Sequence, residues 1–374
     1  MKIYTITCHN VYNHGASLQA YALMKFLLTC GHEVEIIDYR PKYLNNHYNL
    51  LNVDNPKWER NIILKWLYLM MKFPLRLIGL KRKKAFDSFT FEFLKLTKNI
   101  YTTNDELRNL PIVDAYICGS DQIWNSLFEN GKDPAFYLDF APKEKLKLSY
   151  AASFATDFIS NNWIPFVKKR VKELDGIGVR ETSAVDILNK MNISKAVTVV
   201  DPTLLLSKHD WNIISKRKFK QKYILIYDFE KSNLIERLAT ELAREKGYKI
   251  YSINPVNIKY AHKQFKYVGP EVFISLVRDA QFIFSNSFHA AVFSVIFKKN
   301  FAIVNRTENI NTRMRDFLTE LKLNDRLVQE DRIITDILKP IDYNEVVEII
   351  DTKINFSKSY LENLLTKKRV KDAL

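Results

Sequence analysis

The sequence predicts an α/β protein with two domains, and three observations carry that prediction. A strand–helix–strand alternation occupies 2–38, with apolar strands at 2–7 and 33–38 around a helix at 18–30. A second such unit lies late in the chain, with strands at 281–284 and 301–304 around a helix at 290–297. The chain has 374 residues, more than one ordinary core holds, and its 47% hydrophobic content is that of a folded protein.

The elements follow in order. The first loop, 8–17, collects His9, Asn10, Asn13, His14, Gly15 and Ser17. Gly15 would let the backbone turn tightly against a ligand and Ser17 would cap the next helix, although an ordinary capped turn has the same composition. The loop lacks the G-x-G-x-x-G pattern, so a dinucleotide is not indicated. Further strands are expected at 115–118, 146–153, 177–179 and 196–200. The strand at 115–118 runs straight into Gly119, Ser120 and Asp121. Arg180 and Glu181 follow the strand at 177–179, and Thr182 is the expected cap of a helix to Met191. Residues 201–222 read as the join between domains, and 223–227 restarts the alternation. A helix at 234–246, a strand at 249–253 and a helix at 270–279 lead to the second unit described above. Arg306, Arg313 and Arg315 then lie near one loop, and 344–370 is expected to be helical and to pack back across the domains.

Segment 60–86 has a different character. It carries Arg60, Lys65, Lys72, Arg76 and the cluster 81–84, with no acidic residue, among Trp66, Tyr68 and many aliphatic side chains. Pro74 would break or kink a helix there. Apolar bulk, aromatic rings and basic residues together describe a membrane-interface segment; a helix packed on its own domain is the competing reading. The 57 basic residues exceed the 42 acidic ones, a net charge of +15 that favours anionic partners. No helix-turn-helix, zinc or RNP pattern accompanies it, so nucleic acid is not expected. Three cysteines without a C-x-x-C pair point to a reducing, cytoplasmic setting rather than a disulfide framework, and no metal cluster is visible. The N-terminus lacks the apolar region of a signal peptide, and no run of 18 apolar residues spans a bilayer.

The stretch SNSFHAAVFSVIF, 285–297, sits where the late strand hands over to its helix. Such junctions hold ligands in open α/β sheets, and the helix start offers N–H groups and a positive dipole end to an anion. Ser285, Asn286, Ser287 and Phe288 would line that anion site, with His289 beside it. A lone histidine at a helix start is also a common cap or packing residue.

Six stretches taken in order resemble the bacterial polysaccharide pyruvyl transferase family: HNVYNHGASLQAYAL (9–23), ICGSDQIWN (117–125), SYAASF (149–154), GVRETSAVDIL (178–188), VVDPTLLL (199–206) and SNSFHAAVFSVIF. The resemblance runs to about residue 326. It implies two Rossmann-like domains facing across a cleft, as in GT-B glycosyltransferases, here 1–205 (with a basic apolar insertion near 57–100) and 206–345, followed by a returning helix at 346–374. It further implies transfer of the pyruvyl group of phosphoenolpyruvate, a co-substrate with no other cofactor, to two hydroxyls of one sugar. The acceptor would be a surface-polysaccharide precursor, lipid-linked and met at the inner face of the cytoplasmic membrane. The family's histidine matches His289, its arginine Arg180 and its aspartate Asp121. Some members carry arginine two residues before the histidine, where this chain has Ser287; Arg306 or Arg313 would replace it. Ser126 stands where proline is common and Ala291 where threonine is common. Acceptor or loop contacts are expected among His9, Asn10, His14, Gly15, Ser17, Gln19, Gln122 and Trp124. A GT-B glycosyltransferase with a nucleotide-sugar donor is the alternative.

Overall fold

The computed structural model describes residues 1–45, 58, 61–253, 256–308, 310–329 and 334–371. Arg60 and most of the N-terminal edge of the expected insertion lie outside the described residues. The front lobe holds seven parallel strands: β1 (Lys2–Ile6), β2 (Glu33–Tyr39), β3 (Leu96–Tyr101), β4 (Ala115–Cys118), β5 (Leu146–Ala152), β6 (Gly176–Val179) and β7 (Ala196–Thr198). Their order is 3-2-1-4-5-6-7. The rear lobe holds β8 (Tyr223–Tyr227), β9 (Lys249–Ser252), β10 (Lys263–Gln264), β11 (Phe282–Ser285), β12 (Asn300–Val304) and β13 (Leu327–Val328), in the order 10-9-8-11-12-13 and also parallel. Each sheet reverses its winding once, between β1 and β4 and between β8 and β11. Ligand crevices form outside the strand ends at such reversals. Central strands such as YILIY and FIFS are wholly buried, as parallel strands covered on both faces must be.

The helices used below are α1 (His14–Thr29), α2 (Ile62–Phe93), α3 (Ile164–Val171), α4 (Thr182–Lys190), α5 (Lys208–Ile214), α6 (Asn233–Lys246), α7 (Pro270–Asp279), α8 (Phe288–Ile296), α9 (Thr312–Glu320) and α10 (Tyr343–Lys371). Several differ from expectation. α1 begins at His14, not residue 18, because Asn13 caps it by accepting from Gly15 N at 2.9 Å and Ala16 N at 3.3 Å. Ser17 therefore lies inside the helix and is not its cap. Thr182 is not a cap either: Glu181 holds the N-cap place, and Thr182 Oγ1 donates to Asp316 of the rear lobe. Pro74 does not end α2, which runs through it. The join at 201–222 contains α5, held by a reciprocal Ser207–Asp210 capping box.

One apolar core runs through both lobes, with Leu18 and Leu23 of α1, Trp211, Phe273 of α7 and Phe293 of α8 in a single cluster. α10 then ties the lobes together. The Tyr343 hydroxyl donates to Ser294 O at 3.3 Å in the rear lobe, and Val200 N of the front lobe donates to Ser357 Oγ at 3.0 Å.

Candidate active site

The site grows from four strand ends. After β4 the chain turns through Gly119, whose φ is +124° and where a Cβ would meet Tyr150 O at 2.1 Å, so only glycine fits. Asp121 then adopts φ +76°, a left-handed conformation of the kind that costs about 1–3 kcal/mol outside glycine. Its carbonyl, accepting from Ile123 N at 2.8 Å and Ser153 N at 3.0 Å, helps hold it there. The Asp121 carboxylate faces two guanidiniums, Arg180 Nη2 at 3.5 Å and Arg313 Nη1 at 3.3 Å.

Arg180 leaves β6 and is buried. Beyond β7, Asp201 uses Oδ1 to cap the next turn, accepting from Thr203 N at 3.0 Å and Thr203 Oγ1 at 2.7 Å. Its second oxygen, Oδ2, accepts from Arg180 Nη1 at 3.0 Å and lies 3.6 Å from His289 Nε2. Asp201 thus joins an arginine of the front lobe to a histidine of the rear lobe. His289 is the second residue of α8 and lies against the first turn of α1: a Cβ at Gly15 would sit 2.0 Å from His289 Nδ1. Phe288 beside it carries the Arg180 guanidinium 4.5 Å and the Arg313 guanidinium 5.7 Å from its ring centre.

Charge balance follows from burial. Desolvation opposes ionisation of Asp201, but His289, Arg180 and the Thr203 hydrogen bond outweigh it and hold the carboxyl well below the usual range. Asp121 is also lowered, its burial outweighed by Arg180, His289 and Arg313. Burial raises Glu181, although Oε1 accepts from Ser153 Oγ, Phe154 N and Ala155 N, each at 2.9 Å. Burial and the neighbouring Arg180 bring Arg313 down to about 10. Arg180 Nε, Arg313 Nε and His289 Nε2 are buried without hydrogen-bond partners. Native interiors rarely leave such groups unpaired. A cavity of about 350 Å³ lies on the Arg180 and Asp201 side of the cluster, bounded also by Phe288, Phe317 and Phe356; His289, Arg313 and Asp121 do not line it.

The expected site residues divide into two groups. His289, Arg180, Asp121 and Arg313 converge, with Ser287 and Phe288 at their edge. The Gln122 amide, turned to suit its neighbours, directs its oxygen at Arg313. The others have partners elsewhere or lie in the interior. Ser285 Oγ donates to Tyr227 O, and Asn286 is bonded to Asp228 and Phe229, so both brace the strand ends instead of facing an anion. Arg306 pairs with Glu230 and Glu308 and not with Asp121, although its charge is still felt by Arg313, and Arg315 pairs with Asp157 and Asp316.

The acceptor contacts expected at Trp124, Gln19, Ser17, His9 and His14 are interior residues, because their polar atoms or rings are already engaged or enclosed. Trp124 Nε1 donates to Phe136 O and its ring stacks on Tyr137. Gln19 Oε1 accepts from Ser120 N and so fixes the turn that carries Asp121. Ser17 is buried within α1. His9 lies 3.2 Å from Asp38. His14 stacks on Phe273 with ring centres 5.3 Å apart, and burial, aided by Arg82, keeps it well below its ordinary pKa. Asn10 is half-buried, with an unpartnered Oδ1.

Asp201 was missed by sequence reasoning. Its signal was an Asp-Pro-Thr run at a strand end, which announces a capped turn and a carboxylate at the sheet edge. Among the described residues no group of three His, Cys, Asp or Glu side chains is placed to hold a metal ion.

Two parallel Rossmann-like lobes of the GT-B type, with a buried cluster of paired charges where they meet, define the class of fold. A family model described as polysaccharide pyruvyl transferase matches residues 13–308, and the chain belongs to that family. It is a transferase by membership. No curated protein matches the chain. Among solved structures it is similar to UDP-GlcNAc 2-epimerase from Methanocaldococcus jannaschii, with a TM-score of 0.53 and 13% identity over 98% of this chain and 100% of that one. The Neisseria meningitidis UDP-GlcNAc 2-epimerase is similar at a TM-score of 0.51 and 11% identity, with the same coverage. At such identities the likeness is one of fold.

Proposed function

We propose that this chain transfers the pyruvyl group of phosphoenolpyruvate to two hydroxyls of one sugar in a lipid-linked surface-polysaccharide precursor. The observation that carries this reading is the Asp201 carboxylate between Arg180 and His289, with Arg313 and Asp121 alongside. Phosphoenolpyruvate brings a carboxylate and a phosphate, and the two buried guanidiniums are the cleft's fixed cations for them. His289, as imidazolium, gives its proton to carbon three, while carbon two accepts the first sugar hydroxyl. Asp121 orients that hydroxyl and takes its proton. The carbon–oxygen bond to phosphate then breaks, phosphate leaving with the electron pair. The second hydroxyl bonds to carbon two and its proton goes to phosphate or to the histidine. The products are one cyclic ketal and one phosphate, so atoms and charge balance. Asp201 stabilises the imidazolium and orients the ring. Three unpaired cysteines support a reducing, cytoplasmic setting.

The test is transfer of label from the pyruvyl carbons to candidate lipid-linked sugars, with phosphate release measured alongside. His289→Ala releasing phosphate as fast as the parent would refute the assignment. Thermal stabilisation by nucleotide sugars and none by phosphoenolpyruvate would point instead to glycosyl transfer.

A further inference from the structure

α2 is two helices in one by environment. Its C-terminal half is packed into the fold: Phe86 and Phe89 are buried, and Arg82 donates to Tyr12 O at 2.9 Å and to Lys266 O at 3.3 Å, one partner in each lobe. Its N-terminal half exposes most of its large apolar side chains. Ile62, Ile63 and Met70 are each more than 70% exposed and Trp66 58%, with Leu67, Met71, Phe73, Leu77 and Ile78 exposed beside them. Monomeric proteins seldom show water so large a contiguous apolar patch.

The arrangement is regular. At about 100° per residue these side chains cover one arc of roughly 200° that holds no charge. Lys65, Lys72 and Arg76 fall on the opposite arc, beside the buried Tyr68 and Leu69, with Lys72 and Arg76 about 6 Å from the Tyr68 ring. The apolar arc ends at Ile78, and the next charged residues on the same line are the exposed Lys81 and Lys84. From 62 to 84 there is no acidic side chain.

We infer that 62–78 lies in the plane of an anionic membrane, its apolar arc among the acyl chains, with Lys81 and Lys84 at the headgroups where the helix leaves the bilayer. A wide apolar face, an aromatic residue and flanking cations are what an interfacial helix requires. None of the described helices is long and apolar enough to cross a membrane, so the segment lies on the bilayer. Charge selects the occupant. With no acidic side chain from 62 to 84, a second copy offers Lys81 and Lys84 no counter-charge on this segment, whereas anionic lipid does. The helix leads from this surface to the cleft: Phe86 packs on His14, which precedes the Gly15 that touches His289. A membrane-bound α2 therefore holds the cleft near the surface where a lipid-carried sugar would be presented. That purpose rests on the proposed function; the binding itself does not.

The test is co-sedimentation of the full chain with vesicles of phosphatidylcholine alone or with about a quarter phosphatidylglycerol. Binding is expected to the anionic vesicles, at least tenfold above the neutral ones, and to weaken with salt. Ile63→Ser/Trp66→Ser/Met70→Ser should lower it at least tenfold, and Lys81→Glu/Lys84→Glu several-fold. A chain that stays in the supernatant overturns the inference. So does a triple variant that binds like the parent, or a micromolar dimer that the triple variant dissociates without any vesicle binding. Phosphate release with a water-soluble acceptor is measured in parallel. Its failure with intact vesicle binding removes only the pyruvyl-transfer reading, and the reverse pattern removes only the membrane inference.

Discussion

The cleft and the first half of α2 both carry cations, and they use them in opposite ways. In the cleft, Arg180 and Arg313 are buried, share Asp121, and lie against the ring of Phe288. On α2, Lys72, Lys81 and Lys84 are open to solvent among exposed apolar side chains. A net charge of +15 describes both regions and explains neither. Buried cations act through fixed geometry and fail sharply when one partner is lost; exposed cations act through a screened field and fail gradually.

The largest expected effect belongs to His289. Replacing His289 by Gln keeps the volume and removes the titratable nitrogen, so acceptor-dependent phosphate release should fall by about 10²–10⁴-fold, the usual range for a lost general acid. Asp201 loses a neighbour that holds its carboxyl low, so the midpoint of thermal unfolding should also fall, by less than in Asp201→Asn, where Arg180 loses its nearest counter-ion. A variant within threefold of the parent would leave the cleft a binding site without this acid.

Asp201→Asn comes next, and its main readout is stability. Removing one member of a buried ion-paired group costs about 3–5 kcal/mol, because Arg180 is left without its nearest counter-ion. The pH dependence fixes the sign. The folded-state pKa of Asp201 is depressed below its ordinary 3.8. Its contribution is therefore present above about pH 4 and is lost as pH falls through the folded value. Urea titrations from pH 7 down to pH 3 should show the parent losing stability more steeply below about pH 4 than Asp201→Asn does. Parallel acid limbs would mean that Asp201 is not the linked group.

How much of this cleft the sequence displayed can be argued residue by residue. His289 stood out because apolar periodicity locates a strand-to-helix junction, and ligands of open α/β sheets bind at such junctions. Arg180 and Asp121 were visible for the same reason at other strand ends. Gly15 was read as a turn residue, yet α1 already begins at His14, and the tight contact at Gly15 is His289, which only the packing of two lobes can reveal. Trp124, Gln19 and Ser17 lie in the interior, and the sequence did not show it: polar and aromatic groups near a strand end look alike there whether they face the cleft or the core. Arg306 and Arg313 were equivalent candidates, and partners distant in sequence separated them, Glu230 for one and Asp121 for the other.

Gly15→Ala turns that contact into a measurement. The added methyl meets the imidazole at a distance no Cβ keeps, so the ring or α1 must shift. Overpacking of this kind costs about 1–3 kcal/mol, and a displacement of about 1 Å at a reacting group can cost about 10²-fold in rate. The expected signature is a lower kcat with the KM for phosphoenolpyruvate nearly unchanged. Arg313→Lys should show the reverse split at smaller scale, KM for phosphoenolpyruvate rising about tenfold with a modest change in kcat, since lysine keeps the charge and loses the fork. If KM does not move, Arg313 is a brace for Asp121 and the donor's second cation is another residue.

The smallest effect is expected on α2, and it decides whether the two regions are independent. Lys81→Gln/Lys84→Gln removes two exposed charges, so with a soluble acceptor kcat/KM should stay within twofold of the parent and the thermal midpoint within about 1 °C. Combined with Arg313→Lys, the effects should add, as they do for sites without shared partners. Arg82 is the reason to measure it. Its guanidinium reaches Tyr12 O in the front lobe and Lys266 O in the rear lobe, and stacks 4.7 Å from the Phe86 ring, which packs on His14. A force on the outer half of α2 can reach the cleft through that buried cation, which bridges the two lobes. Additivity in solution that breaks down on anionic vesicles would show the membrane acting on the site through Arg82, and Arg82→Met should then restore additivity. Additivity under both conditions would leave α2 as an anchor whose charges never touch the chemistry.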